Sequence, residues 1–182
     1  MKTPAISAII SFMNLLKKKK LKLIKTYAFI DSQNLNLGVR SQGWKLDFAR
    51  FYVYLRDKYK IKKAFLFIGF IPKNKKLYEF LTKAGYALVY KPVVESRKHV
   101  KTKGNVDTEL VLHTMIEFPN YDKAIIVSGD GDFYCLVEFL DEKKKLLKIL
   151  VPNKKYSSLL RRFRNYIIHV GDFRGKIEKE RD

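Results

Sequence analysis

The fold is decided by the stretch KAIIVSGDGDFYCLVEFL, which runs from Lys123 to Leu140. Its apolar, β-branched run ends at Ser128 and is typical of a buried strand. An acidic, glycine-containing turn follows, and residues 133–142 then have the period of an amphipathic helix. A strand that leads through a short turn into a helix is the repeating unit of a parallel α/β sheet.

The same unit recurs along the chain. Apolar runs without alternation predict strands at 27–30, 64–71, 86–90, 124–128, 147–151 and 166–170. Helices are predicted after Asp47 as an N-cap and at 73–84, 106–118, 133–142 and 156–164. We therefore expect an α/β protein with three α/β/α layers and a mainly parallel, Rossmann-like sheet.

The length of 182 residues and the 47% of hydrophobic residues predict one globular domain, at residues 25–175. A basic, amphipathic extension (1–24) precedes it, and a charged tail (176–182) follows. The apolar run at 5–16 is shorter than the roughly 20 residues that span a bilayer. No transmembrane segment is therefore expected, only weak contact of the extension with a membrane surface. We expect a cytoplasmic protein, and the sequence leaves its oligomeric state open.

The net charge of the chain indicates which classes of partner it could bind. The chain has 38 Lys and Arg against 18 Asp and Glu, for a formal net charge of +20. Such a surface attracts polyanions such as RNA, DNA or anionic membranes, although lysine-rich composition without a ligand is the alternative. The single cysteine, Cys135, excludes an internal disulfide and a thiolate zinc cluster, and we expect it to be a small buried residue.

Acids are scarce in this chain, so their positions are informative. In a parallel sheet, the loops after the strands and the starts of the following helices meet at one edge. Asp31 ends the first strand, Asp130 and Asp132 follow the fourth, and Asp107 lies in the first turn of the 106–118 helix. Each also suits a structural role, as a helix cap, a dipole partner or, for Asp31 with Asn34, an Asx-turn.

Four converging carboxylates repel one another unless a cation lies between them. Oxygen ligands without paired His or Cys favour Mg²⁺ or Mn²⁺ over zinc, and such ions support hydrolysis of phosphodiesters. Gly129 and Gly131 are expected to adopt backbone angles that other residues avoid. Tyr134 stands where a dinucleotide fingerprint needs its third glycine, and the sequence has no P-loop motif.

Three stretches carry a family resemblance: FIDSQNL (29–35), KGNVDTELVLHTM (103–115) and IIVSGDGDF (125–133). In this order and on these elements, the chain resembles the NYN domain, a branch of the PIN-like nucleases, over residues 25–173. The resemblance implies a PIN-like fold and metal-dependent ribonuclease activity. It places the metal-binding and catalytic carboxylates at Asp31, Asp107, Asp130 and Asp132. It also implies that Asn34 contacts substrate or a metal-bound water. Ser128, in the third motif, is likewise expected to bind substrate.

The loop at 97–105, RKHVKTKGN, precedes the Asp107 helix and should run along the same edge. Arg97, Lys98, Lys101 and Lys103 could bind phosphates there, whereas a solvated loop is the alternative.

The sequence leaves three candidate functions. The first is a metal-dependent ribonuclease in which Mg²⁺ or Mn²⁺ activates a water for attack on phosphorus. The second is a catalytically silent RNA-binding module of the same fold. The third, a Toprim-like phosphotransfer domain, is disfavoured because Asp31 stands where that family needs a glutamate.

Overall fold

The computed structural model describes residues 24–91 and 106–180, apart from the side chains of Lys91, Val106 and Asp107. Its strands are β1 (Thr26–Asp31), β2 (Ile61–Gly69), β3 (Ala87–Lys91), β4 (Lys123–Val127), β5 (Leu146–Val151) and β6 (Ile167–His169). Its α-helices are α1 (Ser32–Arg40), α2 (Phe48–Tyr59), α3 (Lys75–Ala84), α4 (Val106–Ile116), α5 (Tyr134–Glu142) and α6 (Arg174–Ile177). Short 3₁₀ segments include Pro72–Asn74, Gly131–Phe133 and Ser158–Tyr166.

Within the described ranges, the strands form one six-stranded sheet in the order β3-β2-β1-β4-β5-β6. Every neighbouring pair in it is parallel. The predicted α/β class with a mainly parallel sheet is thus confirmed. The order places β1 and β4 side by side at the centre, so the two strands that end in acids are neighbours.

Helices cover both faces of the sheet. On one face, Ala28 and Ile30 of β1 pack with buried residues of α1, α2, α3 and α6. On the other face, Phe29 packs with buried residues of α4, α5 and the 3₁₀ segment Ser158–Tyr166. Since successive strand residues point to opposite faces, the uninterrupted apolar runs of the sequence serve both layers.

The second face is rich in aromatic side chains. Phe29 stacks on Phe65 with ring centroids 5.4 Å apart, and its ring contacts Tyr121 edge-on at 5.6 Å. Tyr121 is 1% exposed and donates its hydroxyl to the carbonyl of Thr114 at 3.2 Å, so its one polar group is satisfied. Burial raises the pKa of this phenol well above its ordinary value. The hydroxyl therefore remains a hydrogen-bond donor in the core.

Helix α1 was not predicted from the sequence. The segment SQNLNLGVR contains Asn, Ser and Gly, which have low helix propensity. Two features compensate. Leu35 and Val39, four residues apart, are fully buried, and the carboxylate of Asp31 caps the first turn. The alternative role for Asp31, an Asx-turn with Asn34, is therefore present, since its Oδ1 accepts from the N–H of Asn34 and caps α1.

Other predictions differ in detail. The predicted helix at 156–164 is a 3₁₀ segment, Ser158–Tyr166, and the predicted helix at 133–142 begins with the 3₁₀ turn Gly131–Phe133. Cys135 is exposed, so the prediction that it is buried is wrong. The neighbouring residues Leu136 and Val137 occupy the buried side of α5 instead.

No helix among the described residues has the length and apolar character needed to cross a bilayer.

Gly85 provides a test of the packing between α2 and α3. It ends α3 with φ at +112°, and a β-carbon there would lie 2.4 Å from the Tyr52 ring of α2. We expect Gly85→Ala to lower the free energy of unfolding by about 2–3 kcal/mol, because backbone strain adds to the steric clash. Urea denaturation measures the change.

Gly43→Ala is the matched control. Gly43 also has positive φ, at +80°, but a β-carbon there meets nothing within 4 Å. This variant should lose only about 1 kcal/mol, from strain alone. Equal losses in the two variants would show that the contact with Tyr52 does not limit the packing.

Candidate active site at the carboxyl edge of the sheet

Two acidic strand ends lie next to each other. Ile30 of β1 pairs with Val127 of β4 in parallel register, so Asp31 and Ser128 are the next residues of two adjacent strands. Neighbouring strands are about 4.8 Å apart. The pairing therefore places Asp31 directly beside the turn that contains Asp130 and Asp132.

Asp31 is a buried carboxylate, with 4% of its surface exposed. Its Oδ1 accepts hydrogen bonds from the backbone N–H groups of Gln33 and Asn34, at 3.1 and 3.0 Å. The positive end of the α1 dipole lies at the same place and favours the charged form. The fold thus holds this carboxyl group in a fixed orientation at the end of a central strand.

Asn34 connects α1 to the turn after β4. Its side-chain Oδ1 accepts a hydrogen bond of 2.9 Å from the backbone N–H of Gly129. Asp31 orients the backbone of Asn34, and the side chain of Asn34 in turn holds the acidic turn. The two acidic segments are therefore joined through this single asparagine.

The turn after β4 is also held by its own side chains. Ser128 is 1% exposed, and its Oγ accepts from the N–H of Asp130 at 3.2 Å. Asp130 is half-buried, and its Oδ1 accepts from the N–H of Asp132 at 3.1 Å, which caps the 3₁₀ turn Gly131–Phe133. Asp132 itself is exposed. The structure gives Ser128 a role in shaping the turn and leaves Asp132 facing solvent.

Gly129 and Gly131 are required in this turn for a reason other than the unusual backbone angles that were expected. The glycines with positive φ in the described part of the chain are Gly43 and Gly85, so Gly129 and Gly131 do not use unusual backbone angles. Close packing requires them instead. A β-carbon at Gly131 would lie 2.3 Å from Oγ of Ser157, and one at Gly129 would lie 3.1 Å from Cβ of Tyr156.

The segment after β5 forms a second wall of the site. Its Ser157 donates its backbone N–H to the carbonyl of Gly129 at 2.9 Å. A groove of about 170 Å³ lies between this segment and α1, and its lining includes Asn34, Gly129, Lys155 and Tyr156. Sequence reasoning missed this wall, although the rule that sites form after the carboxyl ends of strands applies to β5 as well.

Other predicted site residues are only partly placed. Asp107 lies in the first turn of α4, which packs against β1 and against the 3₁₀ turn Gly131–Phe133. A helix that follows a parallel strand begins at the carboxyl edge, so the backbone of Asp107 lies at the same edge as Asp31. Its side chain, with the loop residues Arg97, Lys98, Lys101 and Lys103, lies outside the described residues.

The donors fit a hard divalent cation. Among the described side chains, no group of three or more His, Cys, Asp or Glu residues is arranged to hold a metal ion. Asp31 at the end of β1 and Asp130 in the turn after β4 nevertheless provide carboxylate oxygens at the same edge. Mg²⁺ is commonly bound through one or two carboxylates, with waters and substrate phosphates completing its shell. The two carboxylates are donors of the type that this ion takes.

A three-layer parallel α/β fold with acidic residues after its two central strands has the architecture of the PIN-like nucleases. The family model of the NYN domain matches residues 25–171, and the chain belongs to this family. The resemblance drawn from the three sequence motifs is confirmed. The family and the fold support a nuclease-type function.

The chain is also similar to one relative in sequence and to two solved structures. The Low amplitude and bright protein LabA of Synechococcus elongatus is 26% identical over 162 residues, covering 83% of this chain and 86% of that protein. A crystal structure of the protein of unknown function VPA0982 from Vibrio parahaemolyticus matches with a TM-score of 0.69 and 23% identity, over 86% of this chain and 96% of that one. A zinc-bound structure of the T5 5′-exonuclease matches with a TM-score of 0.45 and 16% identity, over 70% of this chain and 55% of that one.

The contact between Asn34 and Gly129 can be tested by its effect on stability. We expect Asn34→Ala to lower the free energy of unfolding by about 1–2 kcal/mol, because the N–H of Gly129 loses its partner in a half-buried turn. Chemical denaturation measures the loss. Asn36→Ala, on the same helix, is the control and should cost less than about 0.5 kcal/mol. If both variants unfold alike, the side chain of Asn34 does not hold the turn.

Proposed function

We propose that this protein is a metal-dependent ribonuclease that hydrolyses RNA phosphodiester bonds at the carboxyl edge of its sheet. The observation that carries the proposal is the fixed pair of acidic strand ends, Asp31 and Asp130, joined through Asn34. The arrangement holds the two acidic segments beside each other before any ligand binds. Such preorganisation is what a site for a cation and a phosphate requires.

The ion is Mg²⁺ or Mn²⁺, and Asp31, Asp107 and Asp130 hold it. When bound, such an ion supplies a positive charge for the scissile phosphate and lowers the pKa of a water. Asp132 is exposed beside these residues, where it orients a water or holds a second ion. Asn34 keeps the two strand ends in register through its bond to Gly129.

The substrate is a polyanion because the chain is strongly basic, with a net charge of +20. Lys155 and Tyr156 line the groove beside the acidic turn and offer an ammonium and a phenol to the phosphate and sugar. Arg97, Lys98, Lys101 and Lys103 add phosphate contacts from the loop before α4. Contacts of this kind give affinity without sequence preference. We place the activity in the cytoplasm, where RNA is present.

A second candidate function is binding of RNA without cleavage. The protein could be a silent RNA-binding module of the same fold. The observation in its favour is that the described side chains contain no group of three acids around one point. The basic surface serves this function equally well, so the two are separated only by whether RNA is cut.

Cleavage is the first test. Purified protein is incubated with end-labelled RNA in Mn²⁺, in Mg²⁺ and in EDTA, and products are resolved on a denaturing gel. We expect Asp31→Asn and Asp130→Asn to lower the rate at least about 100-fold, because an amide keeps the shape of the carboxylate but not its charge.

Asp57→Asn is the matched control. Asp57 pairs with Arg56 near the end of α2, at the opposite edge of the sheet, and this variant should retain full activity. Tight binding of intact RNA by clean wild-type protein in Mn²⁺ would support the silent module. Cleavage that persists in Asp130→Asn would remove Asp130 from the site.

Metal binding can be followed without substrate. A ligand that binds only the folded state at 100 times its Kd stabilises by about 2.7 kcal/mol, or about 5–10 °C in Tm for a chain of this size. We expect Mn²⁺ to raise the Tm of the wild type and of Asp57→Asn by this amount, and EDTA to reverse it. Asp130→Asn should show a smaller rise. An equal rise in Asp130→Asn would place the ion elsewhere.

A further inference from the structure

An aromatic cluster is exposed at the carboxyl ends of β2 and β3. Phe70, directly after β2, is 45% exposed, and Tyr90, near the end of β3, is 44% exposed. Their ring centroids are 5.5 Å apart at an interplanar angle of 85°. Tyr78, buried behind them, contacts Phe70 at 5.9 Å and Tyr90 at 5.1 Å. Contiguous exposed apolar groups are a feature of binding surfaces.

The cluster is held in place by hydrogen bonds to the backbone. The hydroxyl of Tyr78 accepts from the N–H of Ile71 at 2.7 Å, and it can donate to the carbonyl of Gly69 at 3.0 Å. The backbone is therefore fixed on both sides of Phe70. The ring of Phe70 stays at the surface instead of turning into the core, so little conformational entropy is lost when a ligand stacks on it.

The cluster lies on the same edge as the acidic site. Asp31 pairs with Phe67 of β2, and Phe70 follows three residues later. Tyr90 lies on β3, the strand next to β2 on the side away from β1, and pairs there with Ile68 of β2. With strands about 4.8 Å apart and about 3.3 Å per residue, Phe70 and Tyr90 lie roughly 10–15 Å from Asp31. A flexible polymer whose phosphate lies at Asp31 can reach them.

The charge around the cluster complements a phosphodiester backbone. Residues 70–76, FIPKNKK, contain three lysines and no acid. Lys73, Lys75 and Lys76 are all exposed, at the turn and the first residues of α3. Exposed rings for base faces, together with lysines for phosphates, are the combination that binds single-stranded nucleic acids. A duplex keeps its base faces stacked inside and cannot use the rings.

We propose that Phe70 and Tyr90 stack on the bases of single-stranded RNA, while Lys73, Lys75 and Lys76 follow its phosphates. The inference rests on the proposed function, because RNA is its ligand. It goes further by giving a binding surface for the RNA outside the acidic site.

Binding in the absence of metal tests the proposal separately from cleavage. Fluorescence anisotropy in EDTA follows a labelled single-stranded RNA of roughly 15 nucleotides and a duplex of the same sequence. We expect Phe70→Ala and Tyr90→Ala each to raise the Kd for the single strand by about 5- to 100-fold, the range measured for loss of one stacked base. The Kd for the duplex should change less than twofold.

Four further variants separate stacking from other effects. Phe70→Trp retains a stacking ring and should bind like the wild type, whereas Phe70→Leu, which keeps only apolar bulk, should bind like Phe70→Ala. Phe80→Ala is the matched control, since this phenylalanine is 47% exposed on α3, and its Kd should not change. Lys75→Gln should weaken binding mainly at low salt and reduce the salt dependence of Kd.

Four results would overturn the proposal. One is an unchanged Kd in both alanine variants. A second is equal weakening by Phe80→Ala. A third is a wild-type dimer in sedimentation velocity that Phe70→Ala dissociates, which would make the surface a contact between copies of this chain. A fourth is a fall in Tm of Phe70→Ala with no change in binding, which would make the rings part of the packing.

The two proposals fail in distinguishable ways. Normal binding by the ring variants together with metal-dependent cleavage by the wild type would remove only the stacking surface. Ring-dependent binding of single strands without any cleavage would keep the surface and remove the ribonuclease.

Discussion

The parallel pairing of β1 with β4 is the constraint on which the rest of this protein depends. It aligns Ile30 with Val127 and so brings Asp31 and the turn after β4, nearly 100 residues apart in the chain, to the same edge. The backbone bonds of this pair are satisfied in the middle of the sheet, where both faces are covered by helices. The site is therefore built on the most protected part of the fold, and only its side chains need to be specialised.

The carboxyl edge also unites features that are unrelated in sequence. Acids follow β1 and β4, exposed rings follow β2 and lie on β3, and a groove wall follows β5. These groups lie at or just after the carboxyl ends of five strands, and the strand order decides which of them become neighbours. Acidic groups occupy the centre, while aromatic and basic groups lie to either side, which is the arrangement expected of a surface that binds a long anion.

Much of this could be predicted from sequence because the signals were local. Apolar runs without alternation predicted the parallel sheet, and acids directly after such runs predicted that Asp31 and Asp130 would lie at one edge of it. The features that were missed depend on tertiary contacts. Helix α1 has weak intrinsic propensity and forms because Leu35 and Val39 are buried. Gly131 looked like a flexible turn residue, but its real constraint is the close approach of Ser157, a residue 26 positions away, and no local pattern records that contact.

The side on which Cys135 lies was mispredicted for a similar reason. Burial in α5 falls on Leu136, Val137 and Leu140, and the periodicity of so short a helix allows neighbouring assignments. Asp107 was identified by its motif, and its helix α4 begins at the predicted residue 106.

The contact between α1 and the segment after β5 sets the width of the groove between them. A β-carbon at Gly38 would lie 2.4 Å from Cβ of Pro152, and the side chain of Gln42 donates to both the Gly38 and Pro152 carbonyls. These contacts set the separation of the two walls. The groove is therefore preformed, and we expect a ligand to fit its existing width rather than to open it.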